Sequence, residues 1–350
     1  MSYKAFSMSR TGARHIETGR PCQDYSLHEE YNGNCIAVVS DGHGNERHFL
    51  SDRGSRIACQ TALENIRIFI DEFLMQDNIT KTVTEKAIRL LKQEIIKRWK
   101  SLVRQDYCDI GAPAPKGEPA GISENVEVYY GCTLCAVFTV GDAWIGIQIG
   151  DGSIAALLKN GEMIWPVPES RINEDNLTAS LCMPDPMIDF RHIFFEDRPA
   201  SIYAYTDGIE KVLPDGGKGI TVFLDWLKKI SNSDSRDDDL KKNLDIFTRR
   251  SSIGDDVSVA VIYSSDVDCV NTDFSKTDRD NTYRQLMVKA DELLSTLSYY
   301  ETMIEEIDED DKEQSDRKRE LQKVVDRKRK ELSGLLHRIK ELDYPEREKE

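Results

Sequence analysis

No apolar run in this chain is long enough to cross a membrane, and residues 1–10 alternate in polarity instead of forming the apolar core of a secretion signal. Positive charge is scarce. Lys and Arg number 47 against 63 Asp and Glu, a net charge of −16. A surface of that sign repels phosphate backbones and anionic lipids, which removes nucleic acid and membranes from the expected partners. Paired cysteine clusters are also missing from a chain with eight cysteines. Cys132 and Cys135 have no second ligand pair, and on a strand their side chains would point to opposite faces, so a zinc site is not expected. Cys35, Cys59 and Cys135 lie in apolar runs, as small buried hydrophobes do. Reduced, scattered thiols suit a cytoplasmic protein.

What is present is a recurring arrangement of aspartates. The apolar run Ile36-Ala37-Val38-Val39-Ser40 reads as a buried strand and leads into Asp41-Gly42-His43-Gly44. An aspartate at a strand end, next to glycines that let the backbone turn closely, offers a carboxylate and a free carbonyl to a hard divalent cation. His43 can move a proton beside it. Two further strand-like runs end the same way, at Gly150-Asp151-Gly152 and at Asp207-Gly208, while Gly254-Asp255-Asp256 precedes a fourth. One such aspartate is most simply a turn cap. Four of them, converging on one sheet edge, would repel one another unless cations lay between them.

The expected strands are 3–8, 34–40, 126–140, 143–149, 153–158, 188–195, 201–206 and 257–263. The expected helices are 46–72, 80–105, 218–230 and 238–249. In the second helix Val83, Ala87, Leu90, Leu91, Ile95 and Trp99 recur at helical spacing as a core face, with Asn78 or Thr80 as the cap. Residues 108–124, rich in Gly and Pro, read as a surface loop. Runs of strands flanked by long helices suit stacked antiparallel sheets with helices outside, an α+β architecture.

In their order, Gln23-Asp24, Asp41-Gly42-His43-Gly44, Gly131-Cys132-Thr133, Gly150-Asp151-Gly152, Asp207-Gly208 and Asp255-Asp256 resemble the metal-dependent serine/threonine phosphatases of the PPM, or type 2C, family. The opening stretch from Gly12 to Asp24, and Asn176-Leu177-Thr178 followed by Ser180-Leu181, resemble its bacterial branch. The resemblance covers residues 1–265. It implies an α-β-β-α sandwich and hydrolysis of phosphoserine or phosphothreonine on proteins, by a water bridging two Mn2+ or Mg2+ ions. It further implies that Asp41 bridges both metals, that the Gly42 carbonyl serves one, and that Asp207 and Asp255 serve the other. Asp24 would hold water beside them, and Asp151 would belong to a third, looser site. His43 would be the general acid.

The chain departs from the family pattern in three places. The family's phosphate-holding arginine falls at Gly19, leaving Arg20, Arg14 or Arg10 to supply the guanidinium, with Arg20 the nearest candidate. Lys211 stands where many members carry the second aspartate of the third metal site, and a lysine repels a cation. The usual Asp-Asn pair is Asp255-Asp256, where Asp256 is expected to form local hydrogen bonds or cap the turn. Two other readings stay open: a catalytically silent sensor or scaffold, and a two-metal hydrolase of small phosphate esters.

Beyond the catalytic motifs, 266–278 reads as a linker and 279–345 as a helical, coiled-coil-like tail. Leu286, Ala290, Leu293, Leu297, Tyr300, Ile304 and Ile307 step by three and four, and Leu321, Val325, Lys328, Leu332, Leu335, Ile339 and Leu342 continue in the same phase. The tail is either one helix of about 100 Å, pairing with a second chain or a partner's helix, or a hairpin folded at the acidic stretch 308–311.

Overall fold

The structure is a computed structural model and describes residues 2–74, 81–111, 125–168, 170, 172, 178–213, 217–250, 254–274, 293, 296–297, 300–301, 303–304 and 312–343. The chain divides into two compact units, Met1–Phe274 and Ser275–Glu350. Among the described residues no helix is long and apolar enough to cross a membrane.

The first unit is the expected sandwich. Its strands are β1 (Tyr3–Arg10), β2 (Tyr25–Tyr31), β3 (Asn34–Ser40), β4 (Leu134–Val140), β5 (Ala143–Ile149), β6 (Ser153–Leu157), β7 (Met163–Ile164), β8 (Arg191–Phe195), β9 (Ser201–Tyr205) and β10 (Val257–Ser264). They form two antiparallel sheets, ordered β1-β10-β9-β6-β7 and β2-β3-β4-β5-β8. On β3, Cys35, Ala37 and Val39 face the other sheet, while Ile36 and Val38 face the helices. On β10, Ala260 and Ile262 face inward, and Val259, Val261 and Tyr263 face outward. Both faces are covered, so these strands carry continuous apolar runs, Cys35–Val39 and Val259–Tyr263, instead of alternating.

Helices α2 (Ser51–Leu74) and α3 (Lys81–Ile110) cover one sheet. The α3 core face is Ile88, Leu91, Ile95, Trp99 and Val103; Leu90, expected in that face, is 52% exposed because it stands off the buried stripe. After two short helices, α4 (Val126–Tyr129) and α5 (Asp207–Val212), the helices α6 (Gly217–Ile230) and α7 (Arg236–Arg250) cover the other sheet. Another short helix, α1 (Ala13–Thr18), follows β1.

Four expectations need correction. Residues 126–130 are not the start of a strand. Val128 and Tyr130 N–H groups close turns on Asn125 and Glu127, Glu127 pairs with Arg104 at 2.5 Å, and the Tyr129 carbonyl accepts from Leu50 N–H at 2.9 Å. These tertiary partners hold the segment between helices and away from the sheet. Residues 46–50 are a separate turn, Glu46–His48, and not part of α2. The strand expected from 188 begins at Arg191, after a single turn, Pro186–Ile188. Residues 108–110 still belong to α3, and 112–124, like Asn78 and Thr80, lie outside the described residues. Strand β2 went unread because His28, Glu29 and Glu30 break its apolar pattern, as befits a sheet edge.

In the second unit, Leu293 and Leu297 are buried with Val325, Leu332 and Leu335, and Tyr300 and Ile304 pack against them. The last three buried residues lie on helix α8 (Lys312–Asp343). Arg329 pairs with Glu301 at 2.7 Å. A parallel arrangement would set 304 beside 335, about 35 Å along α8 from 312, farther than residues 305–311 reach when fully extended. The two stretches therefore run antiparallel, and the seam closes on itself within one chain. Leu286, Ala290, Ile307 and residues 308–311 lie outside the described residues.

Two outcomes are expected. A Cβ on Gly54 of α2 would lie 1.9 Å from the Tyr130 carbonyl oxygen. Gly54→Ala should therefore cost about 1–3 kcal/mol of stability despite the alanine's better helix propensity, read as a lower urea midpoint; a higher midpoint would mean that α2 does not need this contact. With its seam self-covered, the full chain should give a monomer mass by light scattering at micromolar concentration, and a dimer mass would return the tail to an intermolecular coiled coil.

Candidate metal centre

The antiparallel order sends the ends of β1, β3, β5 and β9 and the starts of β2, β4, β6 and β10 to one edge, as the pairs Tyr25↔Ser40, Leu134↔Ile149, Ser153↔Tyr205 and Arg10↔Val257 record. Asp41 leaves β3, Asp24 precedes β2, Asp151 sits between β5 and β6, Asp207 opens α5 after β9, and Asp255 leads into β10. Hydrogen bonds cross between the sheets here. Thr206 Oγ1 donates to Asp24 Oδ2 at 2.7 Å, and the Gln23 N–H donates to Asp256 Oδ2 at 2.6 Å.

Carboxylate oxygens of Asp41, Asp151 and Asp207 all lie within 4.8 Å of one another. Burial, reinforced by Asp24, Asp207, Asp255 and Asp151, pushes the Asp41 carboxyl well above the usual carboxylate range. Burial, then the charge of Asp256, does the same to Asp24, which is 3% exposed. Burial and the charge of Asp151 push Asp207 up to about 6. Asp207 Oδ1 is buried and accepts no hydrogen bond from any described group. An unpartnered oxygen beside two other carboxylates fits a hard divalent cation, which takes oxygen ligands and neutralises the crowding.

Asp41 is held on both sides by Thr133, whose Oγ1 accepts from the Asp41 N–H at 3.0 Å and whose N–H donates to the Asp41 carbonyl at 2.8 Å. Gly42 bridges to Cys132, and a Cβ there would lie 2.7 Å from the carbonyls of both Gln23 and Ser51. A Cβ on Gly208 would lie 2.0 Å from the Asp256 carbonyl. These glycines are thus required by close backbone approach, and neither has a positive φ.

Asp256 makes its hydrogen bonds far along the chain and not locally. Besides Gln23 it accepts from the Gly12 N–H at 2.6 Å, and it meets His15 Nδ1 at 2.9 Å. Burial opposes its charge, yet these donors hold its carboxyl below the usual range, and the same hydrogen bond raises His15. The pair clamps the N-terminal segment against the lead into β10.

His43 donates its backbone N–H to the Gly131 carbonyl at 3.0 Å, and its ring centre lies 4.9 Å from that of His48. Burial, followed by the neighbouring His48, pushes the His43 imidazole down to about 4. His48 itself bonds the Val128 carbonyl through Nδ1. Taken alone in the sequence, His48 reads as structural; only the fold sets its ring beside that of His43. Arg20 reaches the rim of the 41–44 loop, where Nη1 donates to the Gly44 carbonyl at 3.2 Å. Arg10 is engaged by Asp245 of α7 at 2.5 Å, and Arg14 is exposed beside Gly254. Thr133, Thr206 and Thr178, which donates to Asp151 at 2.9 Å, position the carboxylates. Thr133 and Thr178 lie inside quoted motifs, but nothing in the sequence states their contacts.

Lys211 Nζ lies 2.8 Å from Asp207 Oδ2 and 2.7 Å from Asp255 Oδ2. The lysine is bonded into the acidic group and not merely set against a third cation.

Residues 11–245 match the profile of the family described as protein phosphatase 2C. No curated protein sequence matches the chain. Among solved structures the chain is similar to the serine/threonine phosphatase of S. agalactiae, at 16% identity and a TM-score of 0.46, over 75% of this chain and 100% of that one. It is similar to PppA, a key regulatory component of T6SS in Pseudomonas aeruginosa, at 15% identity and a TM-score of 0.46, over 75% and 98%. It is also similar to the catalytic domain of the serine/threonine protein phosphatase PstP in complex with two manganese ions, at 15% identity and a TM-score of 0.46, over 75% and 97%.

A group whose carboxyl is raised by folding destabilises the fold when it ionises. The contributions of Asp24, Asp41 and Asp207 are therefore most favourable at acid pH and are lost as pH rises, for Asp207 through about 6. Bound cations should remove that penalty. Manganese is expected to raise the melting temperature more at about pH 7.5 than at about pH 5, where fewer of these groups are ionised. Equal shifts at both values would show that these carboxylates are not where the ion binds.

Proposed function

Because the chain belongs to the protein phosphatase 2C family, and is therefore a protein serine/threonine phosphatase, we propose that Asp41, Gly42, Asp207 and Asp255 hold two divalent cations and that His43 serves the leaving oxygen. The observation that carries this reading is the meeting of Asp41, Asp151 and Asp207 within 4.8 Å, with Asp207 Oδ1 buried and unpartnered.

Two Mn2+ or Mg2+ ions, when bound, supply an attacking water and neutralise the phosphoryl oxygens. The protein's own groups do the rest. Asp41, its backbone fixed by Thr133, stands among the other carboxylates and would serve both ions. Asp24, anchored by Thr206, lies buried beneath the site and orients water there. Arg20 is exposed at the rim and free to turn its guanidinium fork from the Gly44 carbonyl towards a phosphate.

His43 is neutral at physiological pH, with its imidazole held down to about 4 by burial and His48. A phosphate dianion brought beside it favours the imidazolium, so substrate binding itself loads the proton that the departing seryl or threonyl oxygen requires. A phosphoprotein is the substrate class this arrangement serves.

Hydrolysis of a phosphoseryl or phosphothreonyl peptide should require manganese or magnesium and stop with chelator. Asp41→Asn should abolish it. His43→Ala should slow hydrolysis of the peptide by about 10²–10⁴-fold while changing an aryl phosphate, whose leaving group needs no proton, by less than about tenfold. Equal losses on both substrates would remove His43 from proton transfer. Turnover of small esters alone, with none of the peptide, would make the enzyme a small-ester hydrolase.

A further inference from the structure

Resting on the two-cation reading above, we propose that Lys211 is a resident counter-cation. Its ammonium occupies the place between Asp207 and Asp255 that the second divalent cation must take. The two metals then bind unequally: the first with Lys211 in place, the second only by displacing it.

The geometry has three parts. First, Nζ donates to one oxygen of each carboxylate, Asp207 Oδ2 at 2.8 Å and Asp255 Oδ2 at 2.7 Å. These are the two side chains assigned to a single cation. A divalent ion bonded to those oxygens at about 2.0–2.2 Å leaves an ammonium no hydrogen-bonding position on them that is not also a like-charge contact.

Second, Asp207 divides its oxygens. Oδ2 receives Lys211, while Oδ1 is buried and unpartnered. The carboxylates that lie within 4.8 Å of one another are those of Asp41, Asp151 and Asp207; among the described residues Asp255 is not in that group. Asp255 is taken up by Lys211 through Oδ2 and by the Asp256 N–H through Oδ1 at 3.1 Å. A first cation can therefore use Asp41 and the Gly42 carbonyl without disturbing the lysine. A second, drawing on Asp255, cannot.

Third, the lysine is both positioned and able to leave. It stands four residues after Asp207 on α5, so the two share a helix face. Its side chain is 36% exposed, against 17% for Asp207, so the displaced ammonium has a route to water. An ordinary surface i,i+4 pair would have one carboxylate partner, exposed to a similar degree; this one joins two elements 44 residues apart within the acidic group.

The test is manganese calorimetry on the full chain, metal-free at the start. The unaltered protein should show two events, the second weaker by about tenfold or more, the size of one like-charge contact in a partly buried site. Lys211→Met should tighten the second event about tenfold and leave the first within about threefold, while Lys211→Arg, which keeps the charge, should stay weak. Metal-free Lys211→Met should also melt lower than the unaltered protein, and manganese should raise its melting temperature by more. Two equal events in the unaltered protein overturn the proposal without recourse to any variant, as does a second event unmoved in a Lys211→Met protein with unchanged circular dichroism. Both of those outcomes leave the phosphatase reading intact. If manganese does not bind at all, or binds as well to Asp41→Asn, the metal assignment itself fails and this inference with it.

Discussion

Like-charge repulsion at one edge of the sandwich is the constraint on which the rest of the molecule turns. Asp24, Asp41, Asp151, Asp207 and Asp255 arrive there from five different places in the chain, and burial has taken much of their water away. Carboxylates so placed either take up protons, as the raised values of Asp24, Asp41 and Asp207 record, or share positive charge. The fold meets the need partly with its own groups and leaves the buried Asp207 Oδ1 without a hydrogen-bond donor among the described residues. An unpartnered oxygen among crowded carboxylates is the kind of ligand a hard cation takes.

Two adjacent aspartates show how differently the same side chain is treated. Asp256 is 3% exposed and satisfied by the N–H groups of Gly12 and Gln23 and by His15, so its charge is stabilised and it works as a clamp. Asp255 accepts its neighbour's N–H, from Asp256, at Oδ1, and its Oδ2 points to Lys211, a single flexible cation. Backbone amides cannot be displaced without opening the fold, whereas an ammonium on a four-carbon stem can swing away. The first residue therefore belongs to stability and the second to exchange. The glycines serve both, since Gly42 and Gly208 let backbones approach to distances that a Cβ would forbid.

The strands buried on both faces are legible because Val, Ile, Ala and their like dominate there; the expected bounds of β3, β5, β9 and β10 agree with the structure to within a residue. The misreadings share one cause. Residues 126–130 have strand-like composition, but Leu50, Arg104 and Asp106 lie elsewhere in the chain and capture that segment's polar groups before a sheet can. Strand β2 carries Glu29 and Glu30 because its partner lies on one side only, and Arg67 of α2 takes up Glu29 at 2.6 Å. Local pattern reports how deeply a segment is buried; it does not report which distant side chain will claim it.

By itself the sequence determined the apolar strands, the order of the acidic motifs and the family they mark, because burial and short-range spacing are written residue by residue. Which carboxylates meet, which hydroxyls hold them, that His48 packs beside His43 and that Lys211 binds two aspartates were decided by tertiary structure. Those contacts join positions from 4 to 182 residues apart, and the hydrogen bonds and charges that select them act through space once the two sheets have closed. The tail follows the same rule: its heptad stepping allowed one long helix or a hairpin, and the contact of Leu293 and Leu297 with Val325, Leu332 and Leu335 chose the hairpin, since an apolar seam is covered most readily by the nearest matching seam, its own.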